Sequence, residues 1–281
     1  MSASLPSTHH RAFHARSHIS ATLIALLAIL SRDLLVARRE VIVLLVQTLI
    51  QPLFFLFVFG KVLSSIGAAN PLFPVLLLPG IVALTVFVTA LQGPSIELAR
   101  DLGFTREIDD RLLAPLPIGL VAAEKVLLAA LRGLVAGALV FPLAYLVLGS
   151  GYQVRTDQIG VLIGLMVLVA LVGAALGLLL AAIVPVQQLP LVFGLVFTPL
   201  IFTGCTYYPW ALLGGIKWFQ ILTLFNPLTY ASEGIRYAMI PPLHGQASQT
   251  LALGWVLLAL CVSFVLCLWG GMKLFRKRVV S

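Results

Sequence analysis

The sequence predicts an all-α integral membrane protein with six transmembrane helices and both termini in the cytoplasm. Three observations predict it. Apolar residues make up 60% of the 281-residue chain and charged residues only 10%, whereas a soluble domain is roughly a quarter charged. Mean hydropathy is +1.09. The apolar residues also gather into runs of about 20, the length that crosses the hydrocarbon of a bilayer.

Residues 1–20 read as a flexible, polar cytoplasmic tail. Its His10, His14 and His18 recur at helical spacing. A metal patch is the alternative reading of those histidines. Residues 21–40 follow as an amphipathic interfacial helix, running from about Thr22 to Arg39. Its apolar run, Ile19–Leu30, is too short to span. The SRDLLVARRE that follows mixes charges of both signs with Leu and Val, as a helix lying in the headgroup plane requires. A signal-peptide core after Arg11 and Arg16 is the competing reading, and no small-residue cleavage site supports it.

Residues 41–281 form a single six-span domain. The six apolar runs are Val41–Gly60, Leu72–Ile96, Val121–Leu148, Ile159–Val184, Leu189–Tyr207 and Leu251–Gly271. Lysine and arginine set the orientation. With the N-terminus inside, the inner segments hold fourteen of them and the outer segments only Lys61, Arg155, Lys217 and Arg236. The net charge of +8 therefore reads sidedness, not nucleic-acid binding. The inner link from about Ala99 to Leu120 is the most charged part of the chain. The inner link Pro185–Gln188 is minimal.

The outer segment Tyr208–Thr250 is long yet apolar and aromatic, with Trp210, Trp218, Phe219, Phe225, Tyr230 and Tyr237. Asn226 suits an N-cap and Pro227 a first helical position. Two short helices that dip into the leaflet without crossing are expected here. Such backbone must be buried in protein or line a wet cavity. An ordinary interfacial aromatic belt is the alternative. Three small-xxx-small pairs, Gly133/Gly137, Gly160/Gly164 and Gly173/Gly177, allow close helix approach.

Catalytic residues and metal ligands are not expected on this chain. No phosphate-binding G-x-x-x-x-G-K-[ST] loop occurs, so any ATP hydrolysis belongs to another subunit. Spans one, four, five and six carry no ionisable side chain in their apolar cores, which argues against an ion-coupled carrier. Glu97, Glu124, Lys125 and Arg132 read as interfacial pairing and snorkelling at the cytoplasmic ends of spans two and three. Asp101, Glu107, Asp109 and Asp110 would suit a divalent cation in a membrane enzyme acting on lipid headgroups, but Arg106 and Arg111 beside them would neutralise that site. Cys205, Cys261 and Cys267 sit inside apolar runs with no metal spacing. Within the inner link, acids precede Leu112-Leu113-Ala114, and Pro115 and Pro117 stop the run. A short helix parallel to the membrane, docking into a partner groove, fits that pattern.

Five stretches carry a family resemblance: Leu34–Gly60, the LPG at Leu78–Gly80, EIDDRLLAPLP at Glu107–Pro117, EKVL at Glu124–Leu127, and LFNPLTYASEGIRYAMI at Leu224–Ile240. In this order on six spans, they resemble the permease subunits of ABC exporters of the type-2 (drug, polysaccharide and lipid exporter) family. The resemblance implies a cytoplasmic coupling helix contributed by Glu107, Ile108, Asp109, Asp110, Arg111, Leu112, Leu113, Ala114 and Pro115. It implies an elbow helix containing Arg32, Asp33, Arg38, Arg39 and Glu40, and an outer gate of re-entrant helices at Asn226, Pro227 and Tyr230. It further implies two copies of an ABC ATPase subunit, which hold ATP and Mg while this chain holds no cofactor. A second permease, the same or homologous, completes a dimer whose pathway is lined mainly by spans one, two and five. The implied setting is a bacterial-type plasma (inner) membrane. The implied cargo is an amphiphilic drug-like (multidrug) or lipid-like molecule, with a lipid-linked glycan or polysaccharide as the alternative.

Overall fold

The computed structural model describes residues 46, 48–67, 73–103, 118–149, 155, 157–241 and 250–280. Every regular element among them is helical, as the apolar runs require, because a chain crossing lipid must satisfy its backbone internally. Five helices are long and apolar enough to cross a membrane. They are α1 (Thr48–Ser65), α2 (Phe73–Gly103), α3 (Ile118–Leu148), α4 (Ile159–Ile183) and, last in the chain, α8 (Leu253–Val280). Between α4 and α8 lie α5 (Leu189–Thr203), α6 (Lys217–Thr223) and α7 (Pro227–Met239). A 3-10 turn at Val186–Gln188 makes the short link from α4 to α5.

The fifth predicted span is shorter than expected. The run Leu189–Tyr207 forms a helix of 15 residues. That is about 22 Å of rise, against roughly 30 Å of hydrocarbon. The chain leaves the helical path at Gly204. Cys205 then adopts a φ of 49°, a left-handed conformation that a non-glycine residue enters only at a cost. Downstream, the predicted outer segment is largely ordered into the 3-10 turn Trp210–Gly215, α6 and α7. The two short helices expected there are present, and α7 is packed into the bundle.

α2 is the hub. None of its residues from Phe73 to Ser95 is exposed, and it packs against α1, α3, α4 and α7. Two of the three small-residue pairs explain how. A Cβ on Gly133 would lie 2.6 Å from the Val86 carbonyl oxygen, and one on Gly137 would lie 2.1 Å from Val86 Cγ2. On the other flank, Cβ atoms on Gly173 and Gly177 would lie 2.5 Å and 2.1 Å from the carbonyl oxygens of Phe87 and Leu91. α3 and α4 thus close on α2 from both sides, backbone against backbone at Gly133, Gly173 and Gly177 and backbone against the Val86 side chain at Gly137. Ser95 Oγ donates across the second seam to the Gly177 carbonyl at 3.0 Å. The third pair, Gly160/Gly164, meets nothing within 4 Å.

The long helices alternate in direction. The end of α1, the start of α2, the end of α3, and the starts of α4 and α8 gather with α7 at one end of the bundle. Gly60 lies under Leu148, and Gly234 under Leu165 and Val256. This is the end that the lysine and arginine asymmetry assigns to the outside. Toward the opposite end, Glu124 and Lys125 are buried. This differs from the interfacial snorkelling expected of them, because both lie on the part of α3 that packs inward.

The glycine seams give a matched pair of substitutions. Gly177→Ala drives a methyl into the Leu91 carbonyl and is expected to destabilise by about 1–3 kcal/mol, the usual penalty of overpacking. Gly164→Ala, on the open face, is expected to change stability by less than about 1 kcal/mol. Thermal unfolding of the purified variants in one detergent reads both.

Candidate functional site: the capped end of the bundle

The segment from Gly204 to Ile240 closes one end of the bundle, and its sequence explains how each turn is held. Gly80, on α2, is where the cap crosses the bundle. A Cβ there would sit 1.8 Å from the Thr206 carbonyl oxygen. Backbone against backbone at that distance leaves no side chain to move aside, so the Leu78–Gly80 stretch needs its glycine. Thr206 itself is fully buried.

Asn226 is the first of two side chains on which the cap is built. Its Oδ1 accepts from Leu228 N at 2.9 Å and caps α7, with Pro227 in the first turn. Its Nδ2 donates to the Leu200 carbonyl at 2.7 Å and to Thr203 Oγ1 at 2.9 Å. Thr229 Oγ1 reaches the Thr203 carbonyl at 3.0 Å and the Thr223 carbonyl at 2.6 Å. The carbonyls at the end of α5, which lack helical partners, are thereby satisfied by side chains at the start of α7. Tyr230 OH donates to the Leu224 carbonyl at 3.0 Å and fixes the turn between α6 and α7.

Glu233 is the second. It lies one turn further along α7 and is fully buried, as is Arg236. The Arg236 guanidinium donates through Nη1 to Glu233 Oε1 and through Nη2 to the Cys205 carbonyl at 3.1 Å. Glu233 Oε1 also accepts from Trp210 N at 3.0 Å, and Oε2 from Leu251 N at 3.3 Å. One carboxylate therefore ties the 3-10 turn and the entry to α8 to α7. Taking two charges out of water costs several kcal/mol per ion, and these backbone partners offset it. The left-handed turn at Cys205 presents its carbonyl to Arg236. Trp210 and Gln220 exchange bonds between the 3-10 turn and α6, at 3.2 and 3.3 Å.

An aromatic seam joins the cap to α1 and α5. Tyr207 lies with its ring centroid 4.8 Å from Phe55, 6.1 Å from Phe59 and 6.2 Å from Phe202. α1 and α5 otherwise present apolar faces outward, with Phe54, Phe57, Leu191, Leu195 and Phe202 all at least half exposed. α2, expected to line a pathway with them, contributes no exposed residue from Phe73 to Ser95, because α1, α3, α4 and α7 cover it.

Of the residues singled out from sequence, Asn226, Pro227 and Tyr230 come together in this cap. Glu107 to Pro115 and Arg32 to Glu40 lie outside the described residues. Sequence reasoning missed Glu233 and counted Arg236 as a surface cation. The available signal was their i, i+3 spacing on a segment otherwise poor in charge, where an isolated acid and an isolated base each need a partner.

A model of the family described as "ABC-2 type transporter" matches residues 24–240 of this chain. The match takes in α1 to α7 and the whole cap. No curated protein matches the chain.

Two experiments test the cap. Asn226→Ala leaves a buried carbonyl and amide unsatisfied and is expected to cost about 1–3 kcal/mol. Asn226→Asp is expected to cost more, although Asp is as good an N-cap as Asn, because a carboxylate oxygen would then face the Leu200 carbonyl. Equal midpoints for Ala and Asp in thermal unfolding would refute the double-capping role. Glu233→Gln and Arg236→Met alone each strand a buried charge, at about 3–5 kcal/mol. The double variant is expected to recover more than half of either loss in a double-mutant cycle.

Proposed function

The chain belongs to the ABC-2 type transporter family, and from that premise we propose that it is the membrane subunit of an ATP-driven exporter. A multi-pass permease of an ABC transporter implies an ABC ATPase partner. The finer reading is that two such ATPases power two permeases in a bacterial-type plasma membrane. The permeases carry an amphiphilic, drug-like or lipid-like cargo outward from the cytoplasm or inner leaflet. Six spans with both termini inside follow if α5 counts as a crossing, completed by the cap that continues from it.

The observation that carries this reading is the cap. A helix bearing Asn226, Thr229, Glu233 and Arg236 is buried among the ends of α2, α4 and α8 and is tied to α5 through side-chain hydrogen bonds. Such an element closes a bundle on one side and latches the end of α5 to it. The exposed apolar face of α5, at Leu191, Leu195 and Phe202, supports a second permease facing it, with a pathway of apolar walls between. The aromatic seam at Tyr207 sits where α1, α5 and the cap meet, and it suits the point that parts when the exit opens. Closure of the ATPases would reach it through the coupling helix assigned by resemblance to Glu107–Pro115, beside the elbow helix at Arg32–Glu40.

Tagged chain purified from its native membrane in mild detergent is expected to bring down an ATPase subunit in equal amount, with ATP hydrolysis. A chain that comes down alone and inert sinks the proposal. Asp110→Ala with Arg111→Ala is expected to lose the ATPase. Tyr207→Ala is expected to keep it while export into inside-out vesicles falls by about tenfold or more, the scale of roughly 1.4 kcal/mol on the opening step. Unchanged export would remove Tyr207 from the gate.

A further inference from the structure

An apolar groove lies between α1 and the last turns of α3 at the capped end. It is lined by Leu53, Phe54, Phe57, Lys61, Leu146 and Val147 and has a volume of about 360 Å³. Phe54, Phe57 and Leu146 are exposed, at 65%, 50% and 78%, so the groove opens sideways, away from the buried α2. Part of α1 here, Leu56–Val62, is π-helical, a rare local geometry that recurs at functional positions. Along it Phe57 and Lys61 stand four residues apart, close to one π-helical turn, and both line the groove.

The charge at its rim is what identifies an occupant. Lys61 is exposed and is the only charged residue in the lining. Among the described residues, the acids of the segments at this end are Asp157 and Glu233. Both are committed. Arg155 holds Asp157 through Nε at 3.0 Å and Nη2 at 2.5 Å. Arg236, with two backbone amides, holds Glu233. Among the described residues Lys61 has no ion-pair partner. A cation at the mouth of an apolar, laterally open groove wants an anion that carries its own hydrocarbon.

We propose that this groove binds an acyl chain of an anionic phospholipid from the leaflet at the capped end, with the headgroup phosphate on Lys61 Nζ. The acyl chain lies against Leu53, Phe54, Phe57 and Leu146. The lysine stem runs along the groove wall while its ammonium meets the headgroup layer. Selectivity among lipids comes from charge, since all bilayer lipids offer similar chains. This site stands apart from the transport reading, because lipid occupancy can be measured with no ATPase present.

The test uses the full chain in nanodiscs with trace phosphatidylglycerol or phosphatidylcholine carrying a diazirine on the acyl chain. Photoadducts are mapped by peptide mass spectrometry. Adducts are expected at Phe54, Phe57 and Leu146, with phosphatidylglycerol favoured about five-fold over phosphatidylcholine, the effect of one interfacial lysine. Lys61→Gln is expected to abolish the preference and Lys61→Arg to keep it. Leu146→Trp, at an exposed position, is expected to fill the groove and reduce both adducts. Excess inorganic phosphate is expected to leave the labelling unchanged. Equal labelling by the two lipids overturns the proposal, as does a preference that survives Lys61→Gln. Displacement by free phosphate overturns the lipid as source. Absence of adducts on these peptides, the outcome if a second copy of the chain covers this face, overturns it too.

Discussion

Backbone folded into the end of a helix bundle, away from water, must find partners for its amides and carbonyls within the protein, and the capped end of this bundle is organised around that constraint. Two side chains answer it. Asn226 serves the start of α7 and the end of α5 at once. Glu233 accepts from Trp210 N and Leu251 N, whose amides come from opposite sides of α7 in the sequence. A charge at position 233 would be prohibitive alone. With Arg236 beside it, and Arg236 itself anchored on the Cys205 carbonyl, the pair is a node in which both carboxylate oxygens and both terminal guanidinium nitrogens are bonded, and only Arg236 Nε is left without a partner among the described residues. The cost of desolvating the pair is offset only while all three segments stay in place. The node therefore makes the cap cooperative: the 3-10 turn, α7 and the entry to α8 hold together or come apart together.

The same bundle has a rigid part and a loosely tied part. α2, α3 and α4 are locked by glycine seams at which helix backbones meet almost directly, and the Gly80 crossing extends that lock to Thr206. α5 is different. Leu191, Leu195 and Phe202 face outward, Phe193, Phe197, Leu200 and Ile201 are only partly buried against the core, and its polar ties run through Asn226 and Thr229. Hydrogen bonds and one aromatic cluster can exchange partners during a movement; a seam with no spare volume cannot. On the transport reading, the division between the tightly packed and the loosely tied part falls between α4 and α5, which the 3-10 turn at Val186–Gln188 joins.

The parts of this architecture that were legible in the sequence are those governed by local rules. Spans one to four and six follow apolar run length; the helices of spans three and four match their runs closely, while α2 continues to Gly103 and α8 to Val280, past the apolar runs that end at Ile96 and Gly271. The Asn226-Pro227 start of α7 was legible because capping and the proline φ act within one turn. What was hidden depends on partners distant in sequence. Glu233 meets amides 23 and 18 residues away, and no periodicity encodes that. Gly160/Gly164 and Gly173/Gly177 are the same motif on the same helix, yet only the second pair meets α2; spacing reports that backbones can approach, not which neighbour arrives. The fifth run is a related case. Its hydropathy continues to Tyr207, but the helix stops at Thr203 because the left-handed turn at Cys205 diverts the chain over Gly80, a tertiary demand that composition does not record.

The position of the polar residues on α7 bears on how such a cap could open. Asn226 and Thr229 sit on its first turn and hold α5, whereas Glu233 and Arg236 sit one to two turns on and hold the loops to either side. The two functions are separated along one helix. Releasing α5 requires breaking the first set, each bond worth about 0.5–1.5 kcal/mol net, within reach of a modest conformational drive. Releasing α7 from its neighbours requires breaking the charge-assisted bonds of Glu233 to Trp210 N and Leu251 N and of Arg236 to the Cys205 carbonyl, each worth about 1.5–3 kcal/mol, and exposing its buried apolar face as well. The cheaper path is therefore one in which α5 and the rings around Tyr207 shift while α7 stays seated against α2, α4 and α8. An exit built this way opens at the edge of the cap, beside α1 and α5, and leaves its centre closed.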